Sequence, residues 1–131
     1  MCILTCLRAA RILVMEVVEV THASFAVEVI GGMPVVTAPC EVDVANAEEL
    51  RQALRNASAQ GHGPVVVDMT HTWFCDSAAL HVMVDARKRG DDLLLVVTSS
   101  NVLRVLAITG IDTVIPNFST LDEALARMPG P

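Results

Sequence analysis

The sequence predicts a single α/β domain. Its mixed, mostly parallel sheet carries an antiparallel edge strand from an N-terminal hairpin, and helices pack on the sheet. Strand-like apolar runs alternate with helical patterns, which favours parallel strands joined by crossover helices. The runs at 65–69 and 93–100 begin with continuous apolar residues, as in strands buried on both faces. Two glycines at 31–32 separate two earlier β-like runs, as in a hairpin.

Residues 1–14 are interpreted as an N-terminal extension. Residues 15–131 form the domain, which is long enough to bury a core of its own. The extension is apolar, but it is too short to span a bilayer, and Arg8 and Arg11 interrupt it. It also lacks the basic start and the small-residue cleavage site of a secretory signal. An amphipathic membrane anchor is the alternative interpretation.

The first part of the domain reads as strand, strand and helix. The run at 24–31 is the first hairpin strand and MPVVTAP is the second. Pro34 and Pro39 limit the pairing of that second strand, because proline donates no ladder hydrogen bond. A helix begins near Asn46, since apolar residues then recur at helical spacing, namely Leu50, Ala53, Leu54 and Ala57.

The central part of the domain alternates strand and helix. VVVDM at 65–69 is followed by a helix that begins near Ser77 and is closed by Gly90. The basic last turn of this helix suits the negative end of the helix dipole. The run at 93–100 is the next buried strand.

The C-terminal part predicts a short helix that begins near Asn101 and stops at Gly110. A brief apolar piece, TVIP, is the candidate for a further strand. Thr120 and Glu123 then have the spacing of a capping box, which predicts a last helix.

The charge of the chain argues against nucleic acid as a partner. The formal net charge is −6. From Met15 onward the chain contains seven basic residues and all fifteen of its acidic residues. A nucleic-acid binder needs a basic surface. With one Trp, three Phe and no Tyr, the chain also has few side chains that could stack on bases.

The four cysteines are Cys2, Cys6, Cys40 and Cys75, and they form no CxxC motif and no paired Cys/His spacing. No metal site is therefore expected. Four reduced thiols in a cytosolic protein are the favoured interpretation. A disulfide between Cys40 and Cys75 is the alternative, because each precedes an acidic motif and the two motifs could converge in space. These two cysteines are also the candidates for a redox-sensitive site beside Ser77.

Asp76 and Ser77 open the central helix, and the sequence leaves two interpretations for them. Both are good N-cap residues, because a side-chain oxygen accepts a backbone N–H that the first helical turn leaves free. A serine hydroxyl at this place also lies where free N–H groups would hold a phosphate. The first interpretation makes Ser77 structural, and the second makes it a modification site.

A hydrolytic set of Asp76, Ser77 and His81 is not expected. Ser77 and His81 are four residues apart and could approach each other on one helix face. Asp76, however, is adjacent to Ser77 in sequence and poorly placed to orient His81. The chain also has no nucleophile elbow and no Gly-rich phosphate loop. We therefore expect a protein that is not an enzyme and that needs no cofactor.

Three long segments together resemble the STAS domain, which is found in bacterial anti-sigma factor antagonists and in the tails of sulfate transporters. PCEVDVANAEELRQAL is similar to the family's Gly-Glu-Leu-Asp motif and first helix. VVVDMTHTWFCDSAALHVMVDARKRG is similar to its central strand, Asp-Ser-x-Gly turn and following helix. DLLLVVTSSNVLRVLAITGIDTVIPNFSTLDEAL resembles its C-terminal part.

This resemblance, without a transmembrane segment, implies a free-standing, cytoplasmic anti-sigma factor antagonist. Such a protein binds an anti-sigma factor that is also a serine kinase of the GHKL type, and so frees a sigma factor. The kinase then phosphorylates the serine of the motif, here Ser77, and ends the binding. Asp43 and Asp76 would flank the site, and Ala78 and Ala79 complete the partner-binding surface. The expected state is a monomer or weak dimer, with no membrane or nucleic-acid partner.

Two positions depart from the family pattern. Cys40 replaces the glycine of Gly-Glu-Leu-Asp, and Ala79 replaces the glycine of Asp-Ser-x-Gly. We expect the added methyl group of Ala79 to occupy space that a kinase backbone or a nucleotide approaches. The alternative function is therefore a STAS scaffold or a ligand-sensing interaction module that phosphorylation does not regulate.

Overall fold

The computed structural model describes residues 25–60 and 63–127, and there it confirms the α/β architecture. The extension proposed at residues 1–14 lies outside the described residues. The strands are β1 (Ala26–Ile30), β2 (Met33–Thr37), β3 (Glu41–Val42), β4 (Val65–Met69), β5 (Phe74–Cys75), β6 (Leu93–Val97) and β7 (Asn117–Phe118). The helices are α1 (Ala47–Ala59), α2 (Ser77–Lys88), α3 (Ser100–Thr109) and α4 (Leu121–Leu125), and a 3-10 turn spans Ile111–Thr113.

Five of the strands form one sheet in the order β1-β2-β4-β6-β7. β1 runs antiparallel to β2, and the other neighbours pair in parallel. Gly31 and Gly32 join β1 to β2, and both have positive φ angles, 59° and 83°. A two-residue hairpin turn whose twist matches its strands requires such angles, which glycine adopts without strain. The predicted hairpin and edge strand are confirmed.

The strand predicted at TVIP is wrong in position. After Gly110, which has a φ of 79°, the chain continues as the 3-10 turn, and the Ile115 N–H donates to the Ile111 carbonyl at 2.9 Å. Pro116 accepts from the Leu95 N–H at 2.9 Å but has no N–H of its own. Pairing with β6 therefore begins after this proline, in β7.

The sheet buries apolar side chains on both of its faces. Every residue of β6 is buried, as its continuous apolar run predicts. On one face, α1, α2 and α3 pack on the larger core cluster, which includes Leu50, Leu54, Val65, Val67, Leu80, Met83, Leu95 and Leu106. On the other face, α4 packs on a smaller cluster that includes Met33, Val35, Val66, Leu94, Val96 and Ala124.

A separate two-stranded sheet was not predicted from the sequence. β3 and β5 pair in parallel, with Glu41 opposite Phe74 and Val42 opposite Cys75. Each strand has only two residues, and their partners lie more than thirty residues away in the chain. This small sheet sets the relative position of the two acidic motifs.

α4 begins with the predicted capping box. The Thr120 hydroxyl accepts from the Glu123 N–H at 3.2 Å, and the Glu123 carboxylate accepts from the Thr120 N–H at 3.2 Å. The Ser119 hydroxyl also donates to this carboxylate at 2.8 Å, and this bond, with the others, lowers the pKa of Glu123. A lowered carboxylate pKa adds stability above the unfolded-state value, and that stability is lost as the pH falls through the lowered pKa.

Replacing Thr120 with alanine should lower the free energy of unfolding by about 1 kcal/mol, the usual loss for an N-cap. Ser100→Ala is the control, because Ser100 is the exposed first residue of α3 and Ser99 caps that helix. The control should change stability by less than about 0.5 kcal/mol, as exposed positions do. Urea unfolding measures both, and equal losses in the two variants would contradict the assignment of the cap.

Candidate partner-binding site

The two acidic motifs meet at one end of the β3–β5 pair. The Asp76 N–H donates to the Val42 carbonyl at 3.1 Å, so the chain leaves β5 beside the end of β3. Asp43 follows β3 directly, and Asp76 follows β5 directly. The convergence of Asp43 and Asp76 that the sequence suggested is therefore present.

The Asp76 carboxylate binds backbone groups of two different segments. Its Oδ1 accepts from the N–H groups of Ala78 at 3.0 Å and Ala79 at 3.2 Å, which caps α2. Its Oδ2 accepts from the Val44 N–H at 3.2 Å, in the loop between β3 and α1. One side chain thus fixes the start of α2 and ties the neighbouring loop to it.

The loop that holds Asp43 is braced by its own polar side chains. Asp43 Oδ1 accepts from the Ala45 N–H at 3.0 Å, and Asn46 Oδ1 accepts from the Asp43 N–H at 2.9 Å. The Asn46 amide also donates to the Glu41 carbonyl at 2.9 Å. Asp43 therefore holds the shape of a surface loop, and it lies half-buried beside the site.

Ser77 is not the cap of α2. It is the first residue of the helix, since Asp76 occupies the N-cap position. Ser77 is exposed, and its hydroxyl has no hydrogen-bond partner within the part of the chain that the structure describes. Of the two interpretations that the sequence left open, the structural one therefore applies to Asp76 alone.

Ala78 and Ala79 differ in what they present to a partner. Ala78 is half-buried and lines the groove described below. Ala79 is 0% exposed and its methyl group belongs to the larger core cluster. The prediction that Ala79 contacts a partner directly is therefore wrong. The prediction that its methyl group obstructs an approaching kinase is wrong for the same reason.

A shallow groove of about 510 Å³ runs between α1 and α2 beside Ser77. Its residues are Val44, Ala47, Glu48, Arg51, Ser77, Ala78, His81 and Val82. Val44 is 77% exposed, which is unusual for an aliphatic side chain. Trp73 and Phe74, just before Asp76, are 40% and 41% exposed, with ring centroids 6.0 Å apart. Exposed aromatic and aliphatic groups next to polar ones are typical of protein-binding surfaces.

One wall of the groove carries a small charge network that the sequence did not predict. Asp85 Oδ2 lies 3.5 Å from Arg51 Nη1 and 3.4 Å from His81 Nε2. Arg51 Nε also lies 3.5 Å from Glu48 Oε1. The spacing of His81 and Asp85, four residues apart on one helix, was available from the sequence. The approach of Arg51 from α1 depends on the packing of the two helices and was not.

The expectation of four reduced thiols is wrong at Cys40, which is disulfide-bonded. Cys75 is a free, buried thiol, so the bridge between Cys40 and Cys75 that the sequence allowed is not formed. Burial, and then the charge of Asp76, raise the pKa of Cys75 to about 12. A buried thiol that keeps its proton is a poor nucleophile, which argues against Cys75 as a redox sensor.

The described ranges contain neither a candidate metal site nor a membrane-spanning helix. No group of three or more His, Cys, Asp or Glu side chains in residues 25–60 and 63–127 could hold a metal ion. None of the helices in these ranges has the length and hydrophobicity to cross a membrane.

Replacing Asp76 with alanine should destabilise the fold by about 1–2 kcal/mol, because three backbone N–H groups lose their acceptor. Ser77→Ala is the matched neighbour and should change stability by less than about 0.5 kcal/mol, since its hydroxyl caps nothing. Urea unfolding compares the two variants. A larger loss for Ser77→Ala than for Asp76→Ala would show that the cap is misassigned.

Cys75 should resist alkylation in the native protein. Iodoacetamide at pH 8.5, followed by peptide mapping, should label Cys75 slowly in the folded chain and quickly in urea, because only the thiolate reacts. The same raised pKa makes stability fall as the pH rises from about 9 towards about 12, since only the unfolded chain then releases the proton. Equally fast labelling in both states would refute the burial argument.

Known proteins match both the sequence and the fold. The STAS domain pattern matches residues 24–124. A Mycobacterium tuberculosis protein named as a candidate anti-anti-sigma factor is 33% identical over 93 residues, 66% of this chain and 63% of that protein. The chain thus matches less than two thirds of that relative's length.

Two solved structures are similar to this one. One is an anti-sigma factor antagonist from Mycobacterium paratuberculosis, with a TM-score of 0.71, 27% identity, and coverage of 78% of this chain and 90% of the other. The second is an anti-sigma factor antagonist (STAS) domain protein from Planctomyces limnophilus, with a TM-score of 0.66, 25% identity, and coverage of 81% and 98%. Since the family pattern spans most of the chain and these structures share its sheet and helices, the chain belongs to the STAS domain family.

Proposed function

We propose that this chain is an anti-sigma factor antagonist. It binds an anti-sigma factor that is also a serine kinase of the GHKL type, and this binding frees a sigma factor in the cytoplasm. The kinase transfers the γ-phosphoryl group of ATP to the Ser77 oxygen, the bond from the γ-phosphorus to the bridging oxygen breaks to release ADP, and the serine proton passes to a base of the kinase. The names of the M. tuberculosis relative and of the two similar structures support the antagonist role.

The observation that carries the proposal is the freedom of Ser77. Asp76 caps α2, so the neighbouring Ser77 hydroxyl is exposed and has no hydrogen-bond partner among residues 25–60 and 63–127. A kinase can therefore reach it without unfolding the helix. The inward position of Ala79 supports the same conclusion, because the methyl group that replaces the motif glycine lies in the core, away from the surface.

The surface around Ser77 fits a protein partner. The groove offers the exposed side chain of Val44 and the half-buried methyl group of Ala78, and Trp73 and Phe74 lie nearby in sequence before Asp76. Tryptophan is among the residues that contribute most of the binding energy in protein interfaces, so Trp73 is the best anchor at this site. A phosphate on Ser77 would add close to two negative charges to a rim that already carries Asp43, Asp76 and Glu48. It would also have to lose water on binding, so the modification weakens the complex without unfolding the domain.

The proposal assigns no catalysis to this chain. His81 Nε2 lies 3.4 Å from Asp85, and the Ser77 hydroxyl makes no hydrogen bond with His81. Asp76 is engaged by backbone N–H groups. His81 and Asp76 therefore serve other contacts, no hydrogen bond from His81 prepares the Ser77 hydroxyl as a nucleophile, and the proposed site acts by binding.

Ser77→Ala and Ser77→Asp should both fold but differ in binding. Ser77→Ala should capture an anti-sigma kinase of the source bacterium. Ser77→Asp should bind it at least tens-fold more weakly, where each factor of ten corresponds to about 1.4 kcal/mol. Calorimetry with the purified kinase measures both affinities, and mass spectrometry follows phosphate on wild-type Ser77 after addition of ATP.

Ser100→Asp is the matched control, because it places the same charge on the first residue of another helix, outside the groove. It should bind as wild type does. Equal binding by both Ser77 variants, with no phosphate on the wild-type serine, would reject the switch and leave a constitutive scaffold or ligand-sensing module. If Ser77→Ala captures no anti-sigma factor, the antagonist function itself is wrong.

A further inference from the structure

Three backbone donors at the start of α2 that could hold a phosphate are already engaged. The Asp76 carboxylate accepts from the N–H groups of Ala78 and Ala79, and the Asp76 carbonyl accepts from the Leu80 N–H at 3.1 Å. The expectation that free N–H groups would hold a phosphate on Ser77 is therefore wrong for these three donors. A phosphate at this position must find other partners.

The charges around Ser77 leave two side chains, Arg51 and His81, as candidate partners for the phosphate. Asp43 and Asp76 lie on the loops beside Ser77, Glu48 lies on α1, and Asp85 lies on α2. All four carboxylates repel a phosphate. Among the described residues that line the groove with Ser77, only Arg51 and His81 can carry a positive charge.

His81 lies on the same face of α2 as Ser77, and Arg51 approaches that face from α1. Ser77, His81 and Asp85 follow one another at intervals of four residues, so their side chains lie on one helix face. Arg51 reaches this row from α1, and its side chain is 26% exposed. His81 Nε2 and Arg51 Nη1 both contact Asp85 Oδ2, at distances of 3.4 Å and 3.5 Å. Both contacts are long, and the His81 side chain is largely exposed, so neither contact is strong.

We propose that Arg51 and His81 form a receptor for the phosphate group on Ser77, and that they exchange their contacts with Asp85 for contacts with the phosphate. This inference rests on the proposed phosphorylation of Ser77. The guanidinium group presents several N–H donors in a planar fork that matches a phosphate, and protonated imidazole donates one more hydrogen bond. A dianion competes well against a single carboxylate for these donors.

The exchange gives phosphorylation a second effect on partner binding. A phosphate that Arg51 and His81 draw inward lies inside the groove, where an apolar side chain of the partner would otherwise pack. The groove is then filled and more polar, in addition to being more negative at its rim. The released Asp85 carboxylate becomes available to water on the same face.

The test uses the full chain with phosphoserine installed at position 77 during translation, so no kinase is required. ³¹P NMR follows the second ionisation of the phosphate, whose midpoint lies near pH 6 in phosphoserine. Arg51→Gln should raise this midpoint by about one unit, because a nearby cation stabilises the dianion. His81→Gln should raise it less, since an imidazole donates fewer hydrogen bonds to the phosphate than the guanidinium does.

Two matched variants separate charge from structure. Arg55→Gln removes an exposed arginine from the same helix outside the groove and should leave the midpoint unchanged. Arg51→Lys keeps the charge and should retain most of the wild-type value. An unchanged midpoint in both Arg51→Gln and His81→Gln would place the phosphate in solvent and overturn the proposal. A shift in only one of them would reject a receptor made of two cations. Because no partner takes part, these results stand or fall separately from the antagonist function.

Discussion

The Asp76 carboxylate is the interaction on which the site depends. It accepts three backbone N–H groups, two from the first turn of α2 and one from the loop after β3. A neutral side chain of the same shape would satisfy these donors less well, because hydrogen bonds to an ionised acceptor are stronger. The same contacts relieve Ser77 of any capping role. The Ser77 hydroxyl thus remains exposed because Asp76, the residue before it, supplies the cap.

The parts that hold Asp76 are themselves rigid. The β3–β5 pair fixes Val42 opposite Cys75, and both side chains are buried in the larger core cluster. Asn46 braces the other side of the loop through its bonds to Asp43 and Glu41. A surface feature that must fit a partner gains from such support, because little order remains to be imposed on binding.

The sequence-based predictions were most successful for features that depend on residues close together in the chain, and least successful for features that join distant segments. The hairpin at Gly31 and Gly32, the capping box at Thr120 and the start of α2 depend on residues within a few positions of one another, and the sequence predicted them. The β3–β5 pair joins two-residue segments far apart in the chain, and no local pattern marks such short strands. TVIP had the composition of a strand, but the turn after Gly110 and the missing N–H of Pro116 moved the pairing to β7.

The residues of the candidate site also divide into those that a local motif identified and those that depend on tertiary packing. The motif identified Asp43, Asp76 and Ser77, because each is carried by a short run of residues. The sequence did not reveal that Ala79 faces inward, since the orientation of one small residue depends on how α2 packs. It also did not reveal Arg51, which reaches α2 through the direct packing of α1 on α2. Side chains that meet across two helices are set by tertiary packing, which no single segment encodes.

The position of β1 has a consequence for the behaviour of the protein at high concentration. Among the described strands β1 pairs only with β2, and a five-residue edge is long enough to accept a strand from another molecule. Glu28 lies in the middle of this edge and is exposed, so edge-to-edge association would crowd like charges together. Substitutions that neutralise Glu28 would therefore leave the fold intact while removing a barrier to aggregation, and solubility would suffer before stability did.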